Sequence, residues 1–302
     1  MQNARMSAPW LIVCASFLFA SVGVAVKLAS VQYSPGEIVM YRGVIGMLSL
    51  AAVSRWRGVP LRTPVPAMHA WRSLVGVSSM CLWFYAMGHL PLATAMTLNY
   101  MSSVWMALFL IGGAVMLGGA RVDSRLVATV LVGFVGVAAI LRPTIERDQA
   151  WHGLMGLLSG VLAGVAYLQV TALGRAGEPE TRIVFYFSLG GVAAGALVMA
   201  ATGGPHQHTL PGALSLLAVG VLATTAQLMM TRAYATGRPL VNASLQYLGI
   251  AFAFAYGVLL FNDPVRPLSM LGMALIVGAG IAATRLRQMA APASVANATV
   301  ET

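Results

Sequence analysis

The chain has 302 residues, of which 59% are hydrophobic and only 9% charged, with a formal net charge of +10 and a mean hydropathy of +0.81. An average soluble domain is about one quarter charged, so the composition excludes a soluble globular protein and specifies an all-α polytopic membrane protein. The Lys and Arg residues lie in short connections between apolar runs and build no basic face. Topology explains them better than nucleic-acid binding.

Ten apolar segments follow one another, each near the 20 or so residues that cross a hydrocarbon core. The first, about Pro9 to Ala29, is preceded by Arg5 and could imitate a signal peptide. Because many spans follow, it is read as a retained helix. The second, Ser34 to Ser54, carries Arg42. An arginine near a helix centre costs about 2.5 to 3.5 kcal/mol on insertion scales, so Arg42 should face protein or a wet cavity. Either it anchors an anionic or carboxylate-bearing substrate, or it snorkels or ties to helix-end carbonyls. Glu37 is not its same-helix partner, since five residues at 100° each set the two about 140° apart.

The third and fourth segments, Ala70 to His89 and Leu92 to Leu117, meet at Gly88-His89-Leu90-Pro91 and read as a helical hairpin. Trp83 lies in its first arm, Asn99 and Tyr100 in its second. Asn99, Ser102 and Ser103 share one face of the fourth helix, and Trp83 and Tyr100 are aromatic candidates for a cavity wall, whereas Tyr85 suits an interfacial anchor. The fifth segment is Ser124 to Leu141. In the sixth, Trp151 to Leu173, the four-residue repeat of Gly156, Gly160 and Gly164 suits close helix packing, and Tyr167 and Gln169 add polar groups.

Thr181 to Ala201 is the seventh segment, and the eighth, Pro211 to Ala235, carries Gln227. In the ninth, Leu240 to Phe261, Asn242 and Gln246 begin a small-residue face through Gly249, Ala253 and Gly257, with Tyr247 adjacent. Pro267 to Leu286 is the tenth, and Gln288 to Thr302 reads as a disordered tail. The polar set either lines a cavity for a polar solute or satisfies itself across helices at about 0.6 kcal/mol per bond.

With the N-terminus inside, 13 basic residues, Arg72 among them, fall on the cytoplasmic side and 4 outside, with Arg42 within a span. Both termini are therefore expected in the cytoplasm of a cell whose inner (plasma) membrane holds the protein. Pro91-Leu92 followed by Leu98-Asn99-Tyr100 recurs as Pro239-Leu240 followed by Leu245-Gln246-Tyr247, and Val132 to Ala139 resembles Val277 to Ala283. Each half holds five spans, so the repeats, 9–142 and 151–287, are expected to be inverted, an arrangement shared by many secondary transporters.

No G-x-x-x-x-G-K-[ST] phosphate loop surrounds the single lysine, Lys27, which disfavours an ATP-driven pump. His69, His89, His152, His206 and His208 all fall in loops or at helix ends, so an intramembrane serine protease lacks its base and no enzyme is expected. Cys14 and Cys81 lie within spans and read as small apolar side chains. His206-Gln207-His208 offers two imidazoles without a third ligand, a weak metal signal, so no metal or cofactor is expected. The acids Glu37 and Asp263 stand at external helix ends, and obligatory proton symport finds no mid-span carboxylate to use.

Arg72-Ser73-Leu74-Val75-Gly76, Phe84-Tyr85-Ala86 and Leu90-Pro91-Leu92-Ala93-Thr94-Ala95 resemble the third and fourth helices of EamA-type members of the drug/metabolite transporter superfamily. Tyr41-Arg42-Gly43 is similar to that family's aromatic-Arg-small entry to the second helix. The family's Gly-Glu pair is missing after the fourth segment, which ends Leu117-Gly118-Gly119, and gives way to Asn262-Asp263 after the ninth. The resemblance, from about Pro9 to Arg287, implies a ten-helix carrier with a central cavity.

The reading is a secondary-active transporter of small polar, amino-acid-like metabolites, an exporter by alternating access. Its substrate-binding residues are expected to be Arg42, Trp83, Asn99, Tyr100, Tyr167, Gln169, Gln227, Gln246 and Tyr247. Uptake or exchange of nucleoside-, vitamin- or S-adenosylmethionine-like compounds is the alternative, with a non-alternating channel behind it. Partners are the small-molecule substrate and the bilayer, not nucleic acid; a homodimer stays open.

Overall fold

The computed structural model describes residues 7–116, 150–237, 245–265 and 267–290, with isolated positions 128, 131–132, 135–136 and 242. Among the described residues the secondary structure is helical: α1 (Ala8–Ala29), α2 (Pro35–Arg57), α3 (Pro66–His89), α4 (Leu92–Tyr100), α5 (Ser102–Met116), α6 (Ala150–Arg175), α7 (Glu180–Ala201), α8 (Leu210–Thr236), α9 (Leu248–Phe261) and α10 (Pro267–Ala290). Five of these, α1, α2, α6, α7 and α8, are long and apolar enough to cross a membrane. The expected fifth span, Ser124 to Leu141, lies outside the described residues apart from those isolated positions, as does the tail beyond Ala290.

Local chemistry sets the helix starts. Ser34 accepts from the Glu37 amide while the Glu37 carboxylate accepts from the Ser34 amide, a capping box with Pro35 in the first turn, and Gly58 closes α2 in the left-handed region at φ 65°. Thr209 accepts from the Gly212 amide at the head of α8. Pro66 opens α3 four residues before the expected start at Ala70. Arg72 consequently sits in the second turn of α3 and is 3% exposed.

The fourth expected span is divided at Met101 into α4 and α5. In the ninth, a helical turn at 245–246 is separated from α9 at Tyr247. Both divisions fall beside the recurring Leu-Asn-Tyr and Leu-Gln-Tyr triplets.

Packing is densest between α2 and α7, α1 and α8, and α3 and α6, with α4 wedged between α6 and α9. Small residues permit this closeness. A Cβ at Gly43 would stand 2.7 Å from the Ser188 carbonyl oxygen, and one at Gly195 would stand 2.5 Å from the Met40 amide nitrogen. The glycine stripe of α6 lies against the division in the fourth span, where a Cβ at Gly160 would come within 2.5 Å of the Leu98 carbonyl oxygen. Ile12, Ile38, Leu50, Phe84, Met96 and Leu98 fill the surrounding core.

Candidate functional site

Two arginines define the centre of the bundle. Arg42 lies two turns beyond the capping box of α2, and Arg72 lies six residues beyond Pro66 on α3, a helix that starts from the opposite end. Their guanidinium groups meet on one ring: Arg42 Cζ is 5.0 Å and Arg72 Cζ 4.2 Å from the centroid of Phe187 on α7. Such contacts recover part of the cost of desolvating a cation. Both arginines are buried, and among the described residues neither has a carboxylate within ion-pair distance. Arg42 Nη1 and Arg72 Nε and Nη1 have no hydrogen-bond partner.

These groups stand in the wall of a small central cavity of about 50 Å³, room for a few water molecules as it stands. Phe19 and Val22 of α1, Ser79, Met80, Trp83 and Phe84 of α3, Asn99 of α4, Ala163, Ala166 and Tyr167 of α6, and Ala223, Gln227 and Met230 of α8 complete it, with Gly76 beside Arg72. Arg42, Trp83, Asn99, Tyr167 and Gln227, all singled out from the sequence, thus come together in one chamber. Arg72, Phe187 and Ser79 are additions that the sequence reading did not make.

Asn99 is held from behind. Its Nδ2 donates to Ser159 Oγ at 3.0 Å, Ser159 Oγ donates to the Gly156 carbonyl at 2.6 Å, and Ser79 Oγ donates to the Ser159 carbonyl at 2.8 Å. The amide is therefore fixed in direction before any ligand arrives. Tyr167 stacks on Tyr234 with centroids 5.2 Å apart and planes 13° from parallel. Tyr234 Oη donates to Gln246 Oε1 at 3.0 Å.

The structure places Gln246, Tyr100 and Tyr247 behind this wall rather than in it. Tyr100 is buried against Gly249, where a Cβ would meet its ring at 2.6 Å. Tyr247 is buried at the head of α9 and also borders an apolar groove between α9 and α10. Gln169, two residues beyond Tyr167, is absent from the cavity wall, since 200° of helical rotation carries it to the other side of α6. Asn242 donates to the Ala233 carbonyl at 2.6 Å and serves the end of α8.

Charged contacts close the two ends of the bundle. At one, Glu37 accepts from the His206 amide at 2.8 Å and pairs with His206 Nδ1 at 2.5 Å. His208 bonds to the hydroxyls of Tyr33 and Tyr41 at 3.0 and 2.9 Å. Lys27 Nζ meets Asp263 Oδ1 at 3.1 Å, and Asp263 Oδ2 accepts from the Leu92 amide at 2.9 Å, capping α4. Both of these carboxylates are thus already partnered. Among the described residues no group of three His, Cys, Asp or Glu side chains could hold a metal.

At the other end Glu178, in the loop after α6, pairs with His69 Nε2 at 2.9 Å and Arg182 Nη1 at 3.0 Å and accepts from Thr63 Oγ1 at 3.1 Å. Burial pushes its carboxyl up, but the bonds from His69, Arg182 and Thr63 outweigh this and hold it below its ordinary value. Arg182 also donates to the Pro60 carbonyl, which ties the loop after α2 to α7.

The EamA-like transporter family model matches residues 6–142. The pseudopaline exporter CntI of Pseudomonas aeruginosa is 31% identical over 282 residues, covering 92% of this chain and 96% of that protein. The chain belongs to the EamA-like transporter family. It is thus an EamA-type member of the drug/metabolite transporter superfamily and a multi-pass membrane transporter. A riboflavin transporter of Rhizobium johnstonii is 28% identical and aligns over 92% of this chain and 91% of its own length. An uncharacterized transporter of Helicobacter pylori is 25% identical over 93% of this chain and 95% of its own. A chain of known crystal structure superimposes with a TM-score of 0.67 at 21% identity, covering 92% of this chain and 97% of that one. That last likeness concerns the fold alone.

Proposed function

We propose that this EamA protein is a secondary-active exporter of small polar, amino-acid-like metabolites, which it moves by alternating access around the Arg42 chamber. The observation that carries this reading is a buried guanidinium, Arg42, in the wall of the central cavity with no described carboxylate to neutralise it. A cation left in that state is an incomplete site. An anionic group on the cargo completes it. Asn99, Gln227, Tyr167 and Trp83 supply the hydrogen bonds and the flat aromatic surface around it.

The cycle is taken to be a rocking of two inverted five-helix repeats, 9–142 and 151–287. Helix partners support the pairing: α1 packs on α8 as α3 does on α6, and α1 packs on α9 as α4 does on α6. Exchanging α1–α4 for α6–α9 carries each of these pairs into the other, while α2 with α7 and α4 with α9 map onto themselves. The 13-to-4 split of basic residues supports cytoplasmic termini in the inner membrane.

The relatives bear on direction and cargo. One is named an exporter and another a transporter of riboflavin, and the latter name, with Trp83 in the wall, supports a second reading as an uptake or exchange carrier for vitamin-like compounds. Purified protein in proteoliposomes, loaded with amino acids, nucleosides, vitamins or organic anions, decides between the readings. A carrier gives saturable flux and counterflow with its own substrate class; linear flux without counterflow would establish a pore instead.

A further inference from the structure

We infer that the chamber takes a cargo bearing two carboxylate groups, one held by Arg42 and the other by Arg72. The inference rests on the proposed transport site and adds to it the charge of the ligand.

The first support is the balance of charge. The cavity wall contains two guanidinium groups and no acidic side chain. Both arginines are 3% exposed, and neither is in an ion pair among the described residues. A neutral cargo leaves two buried cations uncompensated and a monoanion leaves one, whereas a dianion leaves none.

The second support is the sign of the unsatisfied atoms. Among the wall residues, the buried polar side-chain atoms without a partner are Arg42 Nη1, Arg72 Nε, Arg72 Nη1 and Trp83 Nε1. Every one is a donor, because guanidinium and indole have no acceptor to offer. Such a wall matches a ligand rich in acceptor oxygens. An ionised carboxylate accepts through both oxygens and donates through neither, and a guanidinium binds it through two parallel hydrogen bonds.

Geometry bounds the distance between the two positions. The guanidinium carbons lie 5.0 and 4.2 Å from the Phe187 centroid, so they stand at most about 9.2 Å apart, when the ring lies directly between them. Two carboxylates on one short backbone can therefore reach both forks. The sequence also makes room for the second fork. At Gly76 a Cβ would lie 1.7 Å from Arg72 Nη1, so the folded-back position of Arg72 depends on a glycine one turn later.

The test uses the full-length protein in detergent, titrated calorimetrically with succinate, glutarate, glutamate and citrate, each beside its monoamide or monomethyl ester. At least one of these acids should bind tenfold or more tightly than its own monoamide, and Arg42→Gln and Arg72→Gln should each reduce that ratio to near one. Arg72→Lys, which keeps the charge, should retain part of the preference and reports that the fold is intact. The inference is overturned if no acid binds, if a monoamide matches its parent acid, or if Arg72→Gln leaves the preference unchanged. Saturable counterflow of neutral or monoanionic metabolites, uncompeted by any of these acids, would overturn the two-carboxylate inference and leave the carrier reading standing.

Discussion

Gly76 stands one helical turn beyond Arg72, and the space a methyl group would need there is filled by Arg72 Nη1, 1.7 Å from the ideal Cβ position. The obstructing atom is the far end of a flexible side chain, so α3 can accept alanine by turning the guanidinium away. Gly76→Ala should therefore leave the unfolding temperature within about 2 °C of the parent while lowering the transport rate about tenfold. Proteoliposome flux beside a thermal melt checks this, and an unchanged rate would show that the position of Arg72 does not matter.

Arg42→Ala and Asn99→Ala should each abolish transport while the extracted protein stays monodisperse. The Asn99 change removes one buried hydrogen bond, worth about 1 kcal/mol, which a bundle of this size should tolerate. Ser159→Ala is the informative companion. It frees the Asn99 amide without removing it, so it should weaken transport less than Asn99→Ala does, and equal loss in both would point to a packing defect.

Asp263→Asn should act on stability rather than on flux. The carboxylate binds Lys27 and caps α4 through the Leu92 amide, and losing hydrogen bonds to a charged acceptor costs about 2 kcal/mol. The expected result is a lower melting temperature with initial rates within about twofold of the parent. Collapse of transport in a protein that still melts cooperatively would place Asp263 in the transport machinery instead.

Acid should loosen the end of the bundle held by Glu178. Its folded carboxyl is held below the ordinary value of 4.5 by His69, Arg182 and Thr63. For a depressed group, the stabilisation is fully present above the unfolded value and is lost as pH falls from there through the lower folded value. Melting temperatures from pH 7 down to 3 should drop in that window, and Glu178→Gln should flatten this part of the curve. A parallel drop in both proteins would assign the acid sensitivity elsewhere.

The helical hairpin and several chamber residues are legible in the sequence because each has a one-dimensional cause. A 20-residue apolar run, a Gly-to-Pro turn from Gly88 to Pro91 and a polar residue amid small ones suffice for the hairpin and Asn99. Arg72 was hidden by the same reasoning, since a basic residue close to an expected span end counts toward topology, and Pro66 lengthens α3 beyond the apolar run. Tyr100 and Tyr247 illustrate a second limit. Spacing fixes which face of a helix a residue occupies, but only the neighbouring helix, here Gly249 against Tyr100, decides whether that face meets a cavity or a wall. No proline or glycine marks the division at Met101, and Ser102 and Ser103 are only weak competitors for backbone bonds.

The carboxylates of Glu37 and Glu178 each reach from one half of the chain to an imidazole on the other, at opposite ends of the bundle. In the proposed cycle, exposing the chamber to one side surrenders a single clasp and leaves its counterpart fastened. The preference of the idle protein for one side over the other is then a small difference between two similar attachments. A substitution at either rim, far from the cargo, should be enough to reverse it.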